Sequence, residues 1–192
     1  MNLTLNIPAT VKLTDEQFYH LSLANRDLRL ERTASGEVIV MPPTGGGTGK
    51  RNSDLNIQLG LWNRETKLGF VFDSSTGFKL PNGATRSPDA AWVKRDRWDS
   101  LTLEQQEQFP PLCPDFSVEL QSPSDALADA RLKMQEYLEN GVQLGWLIAP
   151  KIRQVEIYRP NQEQEILQSP AILSGEEVLT GFVLDLTEIL SI

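Results

Sequence analysis

Cysteine and histidine are almost absent from this chain of 192 residues, which contains one of each. The single thiol, Cys113, cannot form an internal disulfide, so the sequence excludes a disulfide-stapled secreted domain and favours the cytoplasm. The same scarcity argues against zinc, because zinc sites are built from several cysteine and histidine ligands. We therefore expect any bound metal ion to be held by oxygen atoms.

Long hydrophobic runs are also missing. The longest apolar stretches, such as residues 144–149, fall far short of the ~20 residues that a membrane-spanning helix needs. Residues 1–13 have neither the cationic start nor the apolar core of a secretory signal. With 40% hydrophobic and 23% charged residues, the composition predicts one globular domain over residues 1–192, located in the cytoplasm and without membrane contact.

The chain is short of positive charge, with 18 lysine and arginine residues against 26 acidic ones. A net charge of −8 argues against a protein that coats nucleic acid regardless of sequence, because such binding depends on cations that neutralise phosphates. Residues 1–100 nevertheless hold 13 of the cations and only 11 of the acids. Contacts with a polyanion are therefore expected from the first half, with these candidates: Lys50, Arg51, Arg64, Lys67, Lys94, Arg95 and Arg97.

Capping residues, turn signals and hydrophobic periodicity predict an α/β protein. A capping box at Thr14–Gln17 predicts a first helix, and residues 28–41 are typical of a hairpin. Apolar residues at helical spacing indicate a second helix over residues 49–66, preceded by a glycine run that is interpreted as a flexible connector. Three segments are interpreted as successive strands of one sheet: 71–74, 77–80 and 87–93.

The second half predicts a strand, a helix and a strand in succession. Residues 115–121 alternate between polar and apolar side chains, which indicates a strand with one polar face. Residues 122–125 are interpreted as a turn and N-cap for a helix that ends at Asn140-Gly141, and residues 144–148 as an apolar strand. With a hairpin over residues 154–168 and an apolar C-terminus packed on the core, we expect a mixed central β-sheet flanked by helices.

Two acids and one amide are candidates for a metal site. Glu119 and Gln121 are two residues apart on a predicted strand, so their side chains leave the same face, with Cα atoms ~6.6 Å apart. Asp89 follows a proline at the start of another predicted strand, where ligands commonly bind in α/β sheets. Two carboxylates and a neutral oxygen donor suit Mg²⁺ or Mn²⁺, which prefer oxygen ligands.

The spacing of Pro88-Asp89 and, thirty positions later, Glu119-Leu120-Gln121 resembles the proline-aspartate, glutamate-X-lysine signature of the restriction-endonuclease-like superfamily. A longer match, over most of the chain, is similar to one branch of it, the Uma-type endonuclease family. The residues and segments that carry this match are Leu30-Glu31, Met41-Pro42, 87–93, 118–125, Lys133, Tyr137 and Gly141. The Ser-Pro-Ser-Asp run at 122–125 makes it much more specific than the two-part signature alone.

The resemblance implies a restriction-endonuclease-like fold and metal-dependent hydrolysis of phosphodiester bonds in DNA. It implies Asp89 and Glu119 as ligands of Mg²⁺ or Mn²⁺, with Glu31 as a third catalytic acid near the metal. DNA is then the partner, and a homodimer is expected because superfamily members that cut both strands commonly pair. The apolar C-terminal stretch is a candidate for that dimer contact.

The chain departs from the signature at Gln121, which remains a candidate site residue but stands where the superfamily has lysine. A neutral amide cannot supply the positive charge that stabilises a phosphorane or lowers the pKa of an attacking water. Lys133 on the following predicted helix is the expected substitute, because its long stem can carry an ammonium to the metal site. The histidine that this family often has at the start of the second helix is absent at Gly49-Lys50.

Two other functions remain open. A non-catalytic homodimeric module for nucleic-acid binding or assembly would keep the fold after losing the motif lysine, and Gln121 and the acidic balance favour it. The acids Glu31, Asp89 and Glu119 favour the enzyme instead. A two-carboxylate glycosidase is disfavoured, because nothing resembles an aromatic platform for a sugar.

Overall fold

The structure is a computed structural model that describes residues 10–123 and 125–191. Predictions that concern residues 1–9, Ser124 or Ile192 lie outside this range. The described part contains the helices α1 Asp15–Ala24, α2 Gly46–Thr66, α3 Arg95–Asp99, α4 Leu103–Glu107 and α5 Leu127–Glu139. None of the helices in these two ranges combines the length and apolar character needed to cross a bilayer.

The strands of the described part form three sheets. In chain order they are β1 Arg29–Arg32, β2 Val38–Met41, β3 Gly69–Asp73, β4 Phe78–Lys79, β5 Thr85–Arg86, β6 Ala90–Lys94, β7 Phe116–Leu120, β8 Leu144–Ala149, β9 Gln154–Tyr158, β10 Glu165–Gln168, β11 Ile172–Ser174 and β12 Val183–Asp185. The six-stranded sheet has the order β10-β9-β8-β7-β6-β3, the four-stranded sheet β2-β1-β5-β4, and β11 pairs with β12.

The six-stranded sheet is mixed, because β7 and β8 are parallel while its other neighbours are antiparallel. Every residue of β8 is buried, as expected for the apolar run 144–149 at the centre of a sheet. Helices α2 and α5 pack against strands of this sheet. The predicted mixed central sheet flanked by helices is confirmed.

Helix α5 connects the parallel strands β7 and β8 and packs against β8. Its residues Met134 and Tyr137 are fully buried. Gly145 in β8 permits this close packing, because a Cβ there would lie 2.5 Å from Cε of Met134. The helix ends at Asn140 as predicted, and Gly141 follows with a φ of +105°, a conformation that favours glycine.

One prediction of sheet membership is wrong. Strands β3 and β6 belong to the six-stranded sheet, whereas β4 and β5 form a small hairpin in the other sheet. The turn between them contains Gly83 with a φ of +90°, and Arg32 of β1 pairs with Thr85 of β5. Pairing with β1 therefore takes this hairpin away from the central sheet.

Two predicted helix starts are also wrong. Helix α2 begins at Gly46 rather than at residue 49, because the glycine run forms its first turn instead of a connector. The N-cap of α5 is Ala126 rather than a residue of 122–125. Here the Asp125 carboxylate accepts a hydrogen bond from the Ser122 N–H, so it closes the preceding turn instead of capping the helix.

The C-terminal stretch packs on the core, as predicted. Val183 is 52% exposed, whereas five other apolar side chains of this stretch are at most 4% exposed: Phe182, Leu184, Leu186, Ile189 and Leu190. These five side chains are buried within the protein and are therefore not available for the dimer contact that the sequence suggested. Because Val183 is exposed, a dimer contact through this stretch stays a prediction.

A buried acid ties α5 to β9. Glu156 is fully buried, and Arg131 donates to its carboxylate from Nη2 at 2.6 Å and from Nε at 3.0 and 3.1 Å. Tyr158 and Gln154 each donate a further hydrogen bond at 2.7 Å. Burial raises the pKa of Glu156, but the hydrogen bonds and the charge of Arg131 outweigh it and hold this pKa below its ordinary value.

Replacement of Glu156 with glutamine tests this anchor. The pKa of Glu156 is lowered only in the folded state, so its ionised carboxylate stabilises the fold fully above the ordinary glutamate pKa. This stabilisation is lost as the pH falls through the lowered pKa of the folded state. We expect Glu156→Gln to lower the free energy of unfolding by about 1.5–3 kcal/mol at pH 7, the value of a hydrogen bond to a charged group. The difference from the unmodified protein should begin to shrink below about pH 4, where the unfolded chain takes up a proton at residue 156, and should vanish once the folded carboxylate is protonated as well.

Urea unfolding at several pH values measures this difference. The exposed Glu163 is the matched control, and Glu163→Gln should change stability little at any pH. A difference for Glu156→Gln that stays constant down to pH 3 would show that the charge of Glu156 is not involved.

Candidate active site

Lys133 of α5 lies between two acids that come from different sheets. Its Nζ is 2.8 Å from Oε1 of Glu31 in β1 and 2.9 Å from Oε1 of Glu119 in β7. The Lys133, Glu31 and Glu119 side chains are 14%, 4% and 13% exposed. The structure thus brings together three of the predicted site residues, which are separated by up to 102 positions in the chain.

Glu119 receives a second hydrogen bond from Tyr137, whose hydroxyl lies 2.9 Å from Oε1. Lys133 and Tyr137 are one helical turn apart, so both side chains face β7. Burial raises the pKa of Glu119 to about 7, opposed by the charge of Lys133 and reinforced by those of Asp89 and Glu31. Burial would lower the pKa of Lys133, but the attraction of Glu119 and Glu31 raises it above its ordinary value, so Lys133 stays a cation.

Asp89 is placed beside Glu119 by the pairing of β6 with β7. Ala90 lies opposite Val118, and the Asp89 N–H donates to the Val118 carbonyl at 3.0 Å, so the next pair along the strands is Asp89 and Glu119. Oδ2 of Asp89 accepts a hydrogen bond from the Leu120 N–H at 2.8 Å. Burial nevertheless raises the pKa of Asp89 above its ordinary value.

Glu31 is surrounded by donors. Besides Lys133, its carboxylate accepts from the Ser87 N–H at 2.9 Å and from Nη1 of Arg86 at 3.1 Å. Burial opposes ionisation, but Lys133 and these other donors hold the pKa of Glu31 below its ordinary value. Arg86 is itself bound to Glu136, with Nε 2.6 Å from Oε2. The negative charge of Glu31 is therefore balanced within the protein.

Asp89 and Glu119 have the donor chemistry for a divalent cation. Among the described residues, no group of three or more histidine, cysteine or acidic side chains is arranged to hold a metal ion on its own. Burial raises the pKa values of both carboxyl groups, and the charges of Asp89 and Glu31 add to this effect at Glu119, so a bound cation would favour the ionised forms. Mg²⁺ keeps several water molecules as ligands, and substrate phosphate commonly completes its coordination shell. Two protein carboxylates therefore suit such an ion.

Two clefts open on these acids. The first has a volume of about 400 Å³ and is lined by Asp89, Glu119, Gln121, Arg29 and residues of the first turn of α2. The second, of about 640 Å³, is lined by Glu31, Lys133, Arg86 and Glu136, with the apolar side chains of Ile39 and Leu132. Glu119 and Met41 line both clefts and therefore lie at the boundary between them.

Gln121 lines the first cleft but does not take the place of a lysine at the acids. Its Nε2 donates to the main-chain carbonyl of Asp125 at 2.9 Å, so the amide secures the turn that precedes α5. Lys133 supplies the positive charge at Glu119 instead.

Three residues at the site escaped the sequence analysis. Arg86 supports Glu31, and Nδ2 of Asn52 donates to Oδ1 of Asp89 at 2.9 Å. Arg29 lines the first cleft, and its positive charge acts to lower the pKa of Asp89. A signal for Asn52 existed, because it lies three residues before Leu55 and therefore on the buried face of α2.

Most of the cations predicted to contact a polyanion lie away from the acids. Arg51 lines the first cleft, where its guanidinium donates to the carbonyls of Ile189 and Ser191. Lys50 pairs with Glu188 at 2.7 Å. The other predicted cations lie at the far end of β6, about 16 Å from Asp89 by strand rise, or at the far end of α2, about 30 Å from its start: Arg64, Lys67, Lys94, Arg95 and Arg97.

Comparison with known proteins gives a family and a fold. Residues 15–187 match the sequence profile of the family Uma2, described as "Putative restriction endonuclease". A crystal structure at 1.96 Å of a "putative nuclease belonging to DUF820" from Anabaena variabilis ATCC 29413 aligns with a TM-score of 0.77 and 21% identity. The alignment covers 93% of this chain and 97% of that one, and it confirms the predicted nuclease-like fold. No curated protein matches the chain.

Replacement of Lys133 with methionine tests whether the ammonium balances the buried acids. Methionine keeps most of the stem and the helix propensity but leaves Glu31 and Glu119 without their shared cation. Loss of one partner from a buried ion pair typically costs about 3–5 kcal/mol, and we expect a loss of that order for Lys133→Met.

Thermal and urea unfolding measure this loss. The control is Lys94→Met, because Lys94 forms an exposed pair with Asp96 at 3.3 Å, and exposed pairs contribute about 0–1 kcal/mol. Equal stability of the Lys133→Met and Lys94→Met proteins would contradict a charge-balancing role for Lys133.

Proposed function

This chain belongs to the Uma2 family, and we propose on that premise that it hydrolyses phosphodiester bonds of DNA with Mg²⁺ or Mn²⁺. The observation that carries the proposal is the position of the Lys133 ammonium, 2.9 Å from Glu119 and bonded also to Glu31. The Lys133 ammonium thus supplies a positive charge beside Glu31 and Glu119, even though Gln121 replaces the lysine of the signature.

Each site residue has its own role in the proposed hydrolysis. Asp89 and Glu119 would hold the metal ion. When bound, such an ion lowers the pKa of a water molecule and neutralises charge that develops on the phosphate. Lys133 stabilises the same developing charge with its ammonium, while Tyr137 and Glu31 keep Glu119 and Lys133 in position through the hydrogen bonds described above.

DNA would enter through the first cleft. Its wall carries the Arg29 guanidinium, which has no carboxylate partner in the described part of the chain and donates to the Ser74 carbonyl at 2.7 Å. A planar guanidinium suits the oxygen atoms of a phosphate. Arg29 would therefore bind a backbone phosphate beside the acids and reduce their repulsion of DNA.

A cytoplasmic homodimer completes the proposal. The single cysteine cannot form an internal disulfide, which suits a reducing compartment. Burial raises the pKa of Cys113 to about 12, so this thiol stays protonated at neutral pH. Two copies related by a twofold axis would present one site to each strand of a duplex. A monomer would cut only one strand at a time.

A non-catalytic binding module is the second candidate function. Lys133 bonds to both Glu31 and Glu119, so these acids are partly neutralised without a metal ion. In this alternative the protein binds nucleic acid but does not cleave it.

A cleavage assay with supercoiled and linear DNA separates the two functions. We expect products in Mg²⁺ or Mn²⁺ and none in EDTA. Asp89→Ala removes a metal ligand and Lys133→Met removes the ammonium, so both variants should lose cleavage, whereas Lys94→Met should retain it. Absence of cleavage by the unmodified protein with either ion would favour the binding module.

Substitution of Arg29 tests the route of the DNA. Arg29→Ala should weaken binding of a short duplex and reduce the slope of log affinity against log salt by about 0.9, the share of one phosphate contact. Fluorescence anisotropy in Ca²⁺ measures binding, because Ca²⁺ screens the acids and is a weaker Lewis acid than Mg²⁺. The control is Arg64→Ala at the far end of α2, and equal effects of the two variants would argue against the first cleft as the binding site.

A further inference from the structure

Two asparagines of α2 hold Asp89 from the same side. Nδ2 of Asn52 donates to Oδ1 of Asp89 at 2.9 Å, and Nδ2 of Asn56, one turn later, donates to its main-chain carbonyl at 3.1 Å. Between them, Leu55 is fully buried and fixes this part of the helix against the core. The helix thus restrains both the side chain and the main chain of Asp89.

The hydrogen bond to Asp89 fixes the orientation of the Asn52 amide. An ionised carboxylate only accepts hydrogen bonds, so Asn52 must turn Nδ2 towards Asp89 and leave Oδ1 on the other side of the amide. That Oδ1 atom is buried and has no hydrogen-bond partner among the described residues. A buried carbonyl oxygen without a donor is unfavourable unless something else compensates it.

The contact lies at the proposed metal site, because Asn52 lines the first cleft together with Asp89 and Glu119. The amide keeps Nδ2 on the Asp89 carboxylate although this leaves its own oxygen buried and unpaired. An arrangement that costs free energy elsewhere in the amide indicates that the contact serves the orientation of Asp89.

From this geometry we infer that Asn52 is a positioning residue of the metal centre, which holds the Asp89 carboxylate in the orientation that binds the ion. The inference rests on the proposed function, since it assumes that Asp89 holds a metal ion. Hydrogen-bond partners of metal-binding side chains typically contribute about 10- to 100-fold to metal affinity. Asn52 belongs to this class of residue.

Titration of the full chain with Mn²⁺ in a calorimeter tests the inference without relying on activity. Asn52→Leu keeps the approximate volume of the side chain but removes both polar groups, and we expect it to weaken Mn²⁺ binding at least about tenfold. The control is Asn63→Leu on the same helix, because Asn63 accepts a hydrogen bond from Trp92 Nε1 at 2.9 Å, far from the acids. Asn63→Leu should bind Mn²⁺ like the unmodified protein. Asn52→Ala gives the same comparison if the leucine variant does not fold.

The outcomes separate this inference from the proposed function. If Asp89→Ala loses Mn²⁺ binding while Asn52→Leu and Asn52→Ala bind as tightly as the unmodified protein, Asn52 has no positioning role and the metal site stands. If the unmodified protein binds no Mn²⁺, or Asp89→Ala binds it normally, both the metal site and the role of Asn52 are rejected.

Discussion

The Lys133 ammonium joins parts of the molecule that would otherwise repel each other. It projects from α5 and bonds to Glu31 of the four-stranded sheet and to Glu119 of the six-stranded sheet. Two buried carboxylates that share one cation are destabilised when it is removed, so the ammonium stabilises the contact between the sheets. The Arg131–Glu156 anchor supports it, because it fixes α5 two residues before Lys133. Apolar side chains of both sheets, such as Phe78 and Val93, also belong to one buried cluster.

The balance of charge divides the site into two halves. Around Glu31, Lys133 and Arg86 provide as much positive charge as the acid requires, and its pKa is accordingly lowered. Around Asp89 and Glu119 the effect of burial outweighs that of the nearby cations, and both pKa values are raised. The first half is suited to hold the protein together, whereas the second is suited to attract a positive ion. Lys133 belongs to both halves, and it therefore couples the stability of the fold to the chemistry proposed for the site.

The sequence predicted those features that depend on neighbouring residues. Alternation along 115–121 indicated β7, and helical spacing with Asn140-Gly141 indicated α5 and its end, so Glu119 and Lys133 could be placed on the correct elements. It could not predict contacts made by distant segments. Asn52 meets Asp89 across 37 positions and Arg86 meets Glu31 across 55, and no periodicity encodes such pairs. The failed prediction of a single sheet has the same origin, because β5 pairs with β1, far away in the chain.

The central claim is that Asp89 and Glu119 together bind a divalent cation beside Lys133. Crystals soaked in Mn²⁺, with diffraction recorded at a wavelength where manganese scatters anomalously, test it directly. The account predicts an anomalous peak in contact with carboxylate oxygens of both Asp89 and Glu119, and loss of that peak in crystals of the Asp89→Ala protein. A well-diffracting soaked crystal with no peak at these two residues, or with manganese bound only elsewhere, would contradict it.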